Sequence, residues 1–309
     1  MLRMTAEPGE LLRQARSLTC HVAGSEANVA AALGFLGAPV RWISALPEGP
    51  LGDRVASELR AAGVDLNHVV RLPDTRLGLF FAESGGSPRG GRVLYDRAGS
   101  AFTRLREVPA EALAGASFAV LSGITAALGH PGGEFVRDFV RQARVSGATL
   151  CVDVNYRALL WSPEEARAGL KDLIRAAQIV VCSERDAERV FGIGGRGADA
   201  LREFADEWAP EAEIVVLTRA ERGSTLLNAE GILEQHALPA DVLDPFGAGD
   251  AFLAGFLWRL SEGADHATAL RAGTLLAALN CTTLGDIARF DAAELEAALA
   301  NPVAAEIRR

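Results

Sequence analysis

The stretch Asp244-Pro245-Phe246-Gly247-Ala248-Gly249-Asp250-Ala251-Phe252 concentrates more chemistry than any other part of this 309-residue chain. Two glycines flank a small residue, an acid follows, and an apolar run from Ala251 to Leu260 begins at once. The spacing predicts a tight turn entering a helix N-terminus. Gly247 and Gly249 carry no Cβ, so a ligand can approach the backbone there. The free N–H groups of a first helical turn, together with the helix dipole, favour an anion. Asp250 stands at the mouth of that anion site, where a carboxylate meets repulsion from any bound phosphate. One reading makes it a general base that takes a proton from an attacking hydroxyl. The other makes it an N-cap aspartate that satisfies orphan N–H groups. Spacing alone leaves both open; the outer acid Asp244 and the glycine on each side of Ala248 favour the base.

Composition narrows the classes of ligand. A net charge of −9 disfavours nonspecific nucleic-acid binding, so an anionic ligand needs local arginines to overcome the field. Lys171 is the only lysine, in a polar helical stretch after Pro163 where a solvated surface role is expected. Schiff-base chemistry is therefore disfavoured, and no Gly-x-x-x-x-Gly-Lys-Ser/Thr phosphate loop occurs. ATP, if handled at all, is handled without a phosphate-binding lysine. Cys20, Cys151, Cys182 and Cys281 are scattered, with no Cys-x-x-Cys pair, as expected for reduced thiols of a cytoplasmic protein. No apolar run reaches the roughly 18 residues that a membrane span needs, so no membrane partner is expected. The N-terminus lacks a basic segment followed by a long apolar one, so no secretory signal is expected either. No Gly-x-Gly-x-x-Gly follows an early strand, which weighs against a dinucleotide oxidoreductase.

The elements that must position these residues read as an α/β fold. Strands are expected at 1–5, 17–22 and 40–45. A helix opens at Gly24-Ser25-Glu26-Ala27-Asn28 with Ser25 as N-cap, and a second follows with Leu51, Val55 and Leu59 on one face. Asn28 falls in the first turn of its helix, either facing a ligand or lying on a solvated polar face. Segments 75–83 and 92–95 read as a hairpin with a Gly- and Ser-rich turn at 84–91, which suggests a small lid. From residue 116 the pattern becomes regular. Short apolar strands at 118–124, 149–155, 179–182 and 214–218 alternate with helices at 133–146, 163–177, 184–191 and 199–208. This alternation predicts a parallel sheet covered on both faces, with ligands at the carboxyl ends of its strands. A hairpin at 223–236, helices at 248–260 and 266–279, and a tail helix broken at Pro302 complete the reading. The residues to watch follow the strands: Asp153, Asn155, Tyr156 and Arg157, then 183–186, then 218–223.

The motif Asp244-x-x-Gly247-Ala248-Gly249-Asp250-x-Phe252 resembles the C-terminal signature of the ribokinase-like (PfkB) sugar kinases, and the likeness runs from about Val22 to Asp286. It implies a three-layer α/β sandwich with a mostly parallel central sheet and a small β lid. The lid would comprise 1–22 and 72–102, over a nucleotide- and sugar-binding core of 23–71 and 103–309. Asp250 would be the catalytic base, and the backbone of Gly247, Ala248, Gly249 and Asp250 the anion hole. The stretch Gly24 to Ala30 resembles the family's N-terminal signature, where Gly24 and Asn28 would contact the sugar. Within the family, Tyr95-Asp96-Arg97-Ala98-Gly99-Ser100-Ala101, Asp153-Val154-Asn155-Tyr156-Arg157 and Leu160-Trp161-Ser162 resemble 2-keto-3-deoxygluconate kinases. Tyr95, Arg97, Asn155 and Arg157 would then hold a sugar acid, a small-molecule partner whose carboxylate suits the two-pronged guanidinium. The alternative for both arginines is surface ion pairing.

The resemblance also implies ATP and Mg²⁺ as cofactors, and possible use of a monovalent cation. Ser183 and Asp186 take the places of asparagine and glutamate near the magnesium and phosphates, with Asp186 the candidate metal residue. Arg219 stands where the family often has a lysine facing the nucleotide. Gly223, Ala277 and Asn280 would border the adenine; for Ala277 the alternative is ordinary helix packing. The family's first strand, ahead of the stretch matching Leu2-Arg3-Met4-Thr5, has no counterpart here. The expectation is that Met1 is internal to a longer reading frame. Exposed lid strands invite pairing into a homo-oligomer. Two rival functions remain: another sugar kinase of the fructokinase or ribokinase type, and a non-catalytic sugar-acid sensor of the same fold.

Overall fold

The computed structural model describes residues 1–83, 85, 88–128 and 133–300. The chain opens with β1 (Leu2–Thr5) and β2 (Thr19–Val22), followed by α1 (Ser25–Phe35). Next come β3 (Ser44–Pro47), α2 (Pro50–Ala61), β4 (Val69–Leu72), β5 (Leu79–Glu83) and β6 (Arg92–Asp96). Four of these strands build one sheet in the order β2-β1-β5-β6, with β1 parallel to β5 and the outer pairs antiparallel. Alternation along β5 buries Phe80 and Ala82 on one face, against Ala23 and partly buried Tyr95 and Phe246. This small sheet is the lid.

The core sheet contains β7 (Phe118–Ser122), β8 (Thr149–Asp153), β9 (Ile179–Ser183), β10 (Ile214–Thr218), β11 (Ser224–Asn228) and β12 (Gly231–Gln235). Its order is β12-β11-β10-β9-β8-β7; the β7-to-β10 pairs are parallel and the last two antiparallel. Between β7 and β8 lie α3 (Gly123–Leu128) and α4 (Glu134–Ser146); α5 (Pro163–Ala176) precedes β9, and α6 (Glu184–Phe191) and α7 (Ala198–Trp208) follow it. The chain ends its described part with α8 (Ala248–Ser261), α9 (His266–Cys281) and α10 (Ala292–Ala300).

Each inner strand is apolar on both faces because both are covered. Leu150, Val152, Val180, Cys182, Val215 and Leu217 pack against Phe135 and Phe139 of α4, Leu170 of α5 and Phe204 of α7. Their neighbours Cys151, Ile179, Val181, Ile214 and Val216 face the other way, onto Val29 of α1, Phe252 and Phe256 of α8, and Leu275 of α9. A residue-by-residue switch between two cores is the signature of a three-layer sandwich.

Several expected boundaries move, for local reasons. The strand expected at 40–45 forms at Ser44–Pro47, pairing with β4, which the sequence reading missed. The strand expected at 118–124 stops at Ser122, because Gly123 packs its Cα against the Val154 carbonyl and the chain turns into α3. The strand expected at 149–155 stops at Asp153, and Asn155 adopts a positive φ of 40°. The strand expected at 75–83 begins only at Leu79. Residues 84, 86 and 87 of the expected lid turn, and the break expected at Pro302, lie outside the described residues. The β3-β4 pair stands apart from the core sheet, and among the described residues no strand pairs with the outer edge of β7. A cavity of about 1270 Å³ is lined by residues of both β3 and β7 and runs to the face of the lid.

Candidate active site

The turn into α8 is held open by its backbone. Gly247 is the N-cap, with φ 78° and no side-chain cap. A Cβ there would fall 1.9 Å from the carbonyl oxygen of Asp286, so only glycine fits. The first N–H groups of α8 have no partner within the helix and mark an anion site.

Asp250 lies in the first turn of α8 and is buried. It does not cap its own helix. Its Oδ1 accepts a hydrogen bond from the Ser25 hydroxyl at 2.7 Å, and its Oδ2 accepts one from Asn28 Nδ2 at 2.7 Å. The N-cap reading of Asp250 is therefore replaced by a carboxylate aimed across at α1. Asn28 is buried, not on a solvated face, because its amide holds that carboxylate. Ser25 is not the N-cap of α1 either; Gly24 is, and the Ser25 hydroxyl is turned to Asp250. Asn155 Nδ2 donates to the same hydroxyl at 2.9 Å. Ser25 is thus a site residue that sequence reasoning assigned to helix capping. The available signal was its place between Gly24 and Asn28 in the N-terminal signature.

Burial pushes the Asp250 carboxyl up from the ordinary carboxylate range; hydrogen bonds from Asn28 and Ser25, and then the Arg157 charge, oppose it. Asp153 is pushed up to about 8, first by burial and then by the charge of Asp250, with Arg157 opposing. Asp186 is also raised by burial.

Arg97 and Arg157 line the same cavity as Gly24, Ser25, Asn28, Tyr95, Gly247 and Asp250. Arg97 is buried, with its guanidinium stacked 3.9 Å over the Tyr95 ring. Its Nε and Nη2 are buried without a hydrogen-bond partner. Burial, and to a lesser degree Arg157, push its pKa down. Arg157 donates to the Tyr156 carbonyl at 3.3 Å. Neither arginine has a carboxylate partner among the described residues, so surface ion pairing does not describe them. A buried cation with unused donors beside an open cavity is a receptor for an anion.

Of the residues expected around the nucleotide, Gly247 lines this cavity, whereas Ser183, Arg219, Gly223, Gly249, Ala277 and Asn280 do not. Ser183 closes β9 and caps α6, its Oγ accepting from Asp186 N at 3.0 Å. Asp186 is buried in the first turn of α6. Arg219, just past β10, is buried and paired with Glu234 at 2.6 Å, so its charge is already met within the protein. Gly223 has φ 90°, and a Cβ there would fall 2.0 Å from the Gln235 carbonyl oxygen, so it serves the hairpin closure. Ala277 packs against the α8–α9 core. Asn280 is fully buried and donates to the Phe246 carbonyl at 2.8 Å. It braces the Pro245–Gly247 turn.

The model of the pfkB family carbohydrate kinases matches residues 2–293. The 2-dehydro-3-deoxygalactonokinase of Haloferax volcanii is 38% identical over 301 residues, covering 97% of this chain and 94% of that one. A 5-dehydro-2-deoxygluconokinase of Clostridium tetani is 28% identical over 274 residues, 87% of this chain and 80% of that one. Among solved structures, a 2-dehydro-3-deoxygluconokinase from Thermotoga maritima superposes with a TM-score of 0.89 at 28% identity, over 97% of this chain and 96% of the other. With the glycine turn, the aspartate behind it and the lid all in the arrangement that the motif foretold, a match over nearly the whole described chain leaves one conclusion: this protein belongs to the pfkB family of carbohydrate kinases.

Proposed function

We propose that the chain transfers the γ-phosphoryl group of ATP to the terminal hydroxyl of 2-keto-3-deoxygluconate. The observation that carries the substrate class is a pair of arginines without a carboxylate partner among the described residues, Arg97 and Arg157, lining one cavity with Asp250, with Arg97 Nε and Nη2 buried and unbonded. The hydroxyls of a neutral sugar can accept from a buried arginine but leave its charge unmatched; a sugar acid supplies a carboxylate with the geometry of the guanidinium fork. Tyr95 holds the Arg97 plane from its other side.

Asp250, fixed by Ser25 and Asn28, takes the proton of the attacking hydroxyl. Its raised pKa brings it nearer to the working pH, which suits proton transfer. The N–H groups at the start of α8 receive the charge of the transferring phosphoryl group. The lid keeps water from the same phosphorus.

The residues also fit a divalent cation. Burial raises Asp153 most, and the charges of Asp250 and Asp186 add to it, a negative field that a cation would offset. Among the described residues no cluster of three His, Cys, Asp or Glu could cage a metal. Mg²⁺ keeps several waters and is commonly held by one or two protein carboxylates plus phosphate oxygens. Asp186 would hold it, and the ion would neutralise charge on the triphosphate.

A second reading, the galactonate-derived epimer, draws on the Haloferax volcanii relative. Purified protein assayed for ADP release with both 2-keto-3-deoxy epimers, fructose, ribose and a nucleoside decides among them. The proposal expects a kcat/KM for a 2-keto-3-deoxy acid at least tenfold above every neutral sugar, and the ratio between the two acids names the epimer. Turnover of a neutral sugar in preference to both acids would reject the role given to the two arginines.

A further inference from the structure

Arg3 is among the largest fully buried side chains, 1% exposed, and it lies on the lid strand β1 rather than in the core. Its Nη1 donates to Asp244 Oδ1 at 3.1 Å, its Nη2 reaches Asp244 Oδ2, and its Nε lies 3.1 Å from Asp286 Oδ2. Its guanidinium carbon stacks 4.7 Å over the Phe246 ring. Every one of these partners belongs to, or packs on, the turn that makes the anion site. Asp244 Oδ1 also accepts from Phe246 N at 3.1 Å, and its Oδ2 accepts from Gly285 N at 3.0 Å. The Asp286 carbonyl is the surface against which Gly247 closes. The lid grips the same turn a second time through Phe80, which pairs with Arg3 in the β1–β5 ladder and sets its ring 6.0 Å from Phe246.

We propose that Arg3 is a positioning residue: it fastens the lid sheet to the Asp244–Gly247 turn and so sets the direction of the N–H groups that receive the phosphoryl group. A buried charged network of this kind is a poor way to gain stability, since apolar residues of equal volume often serve as well. Its use is orientation. A guanidinium hydrogen-bonded two-pronged to Asp244 and ion-paired with Asp286 ties together three chain segments, β1, the 244–247 turn and the 285–286 loop. The lid carries the sugar-acid cation Arg97 just past β6, so the fastening also ties substrate capture to the phosphoryl-receiving end.

The inference rests on the kinase reading above, and the test separates the two. ADP release is measured for the wild type, Arg3→Lys and Arg3→Ala, each with its melting temperature. Lysine keeps the charge but lacks the planar fork that takes Asp244 two-pronged while its Nε faces Asp286. Arg3→Lys is expected to fold with a melting temperature within a few degrees of wild type. Its kcat falls about tenfold, with KM for the sugar acid changed less than twofold. Arg3→Ala, if it folds, is expected to lose about 100-fold in kcat and to regain part of it in millimolar guanidinium, far below denaturing concentration. If Arg3→Ala does not fold, Arg3→Lys decides alone. Wild-type kinetics in Arg3→Lys overturn the proposal. A fall in activity that only tracks loss of folded protein, with no guanidinium rescue, overturns it too. An inactive wild type would instead sink the kinase reading.

Discussion

Substituting the two glycines of the α8 turn one at a time separates the turn's folding from its ligand contact. At residue 247 a Cβ lands 1.9 Å from the Asp286 carbonyl oxygen, where nothing under 3.0 Å is tolerated, so the turn has to move by roughly 1 Å. The backbone there has φ 78°, which costs an alanine a further ~1–2 kcal/mol. Displacing a positioning group by about 1 Å costs on the order of 100-fold in rate, and losing an anion-hole donor costs about as much again. Gly247→Ala is therefore expected to lower kcat by at least ~100-fold and to reduce the melting temperature by a few degrees. At residue 249 an added Cβ meets open space and the backbone is helical. Gly249→Ala is expected to keep or raise stability, by up to ~1 kcal/mol from helix propensity. Any loss of activity in it then reports crowding of a bound phosphate and not damage to the fold; a rise of about tenfold in KM for ATP is expected. Coupled ADP release and a thermal melt read both variants. A Gly247→Ala protein with kcat within twofold of wild type would refute the anion-hole argument, and a Gly249→Ala protein with wild-type kinetics would remove Gly249 from the ligand contact.

Three further outcomes follow from the site. Asp250→Asn keeps the side-chain size, gives up one of the two acceptor oxygens and cannot take a proton, so turnover should fall at least ~100-fold; unchanged turnover in a stopped assay would remove Asp250 from the mechanism. Arg97→Met removes a charge-assisted contact of ~1.5–3 kcal/mol, so KM for the sugar acid should rise about 10- to 100-fold while any weak turnover of fructose stays level; equal loss on both substrates would argue for simple misfolding. Asp153 carries a proton up to about pH 8 in the folded chain but loses it near 3.8 when unfolded, so the folded state binds more protons across that window and stability falls as pH rises through it. Asp153→Asn lacks this penalty, and its melting temperature should gain on wild type progressively from pH 5 to pH 8; a constant offset across that range would contradict the burial of a titrating carboxyl.

The sequence by itself determined the architecture and the place of the chemistry. The apolar runs alternating with amphipathic helices specify a covered parallel sheet because a strand buried on both faces has no polar side to show. The glycine turn before Asp250 specifies an anion site because short-range backbone geometry depends on local residues alone. What tertiary structure alone decided is which polar side chain serves which. Ser25 looked like an N-cap and proved to hold Asp250, since α1 meets α8 only after the sheet has brought residues 225 positions apart together. That Asn280 braces the Phe246 carbonyl was hidden in the sequence for the same reason. Arg3 carried no signal at all, because its partners Asp244 and Asp286 lie more than 240 residues along the chain and only the docking of the lid brings them within reach. Periodicity reports what a segment needs to bury, and it is silent on the partner that will be waiting there.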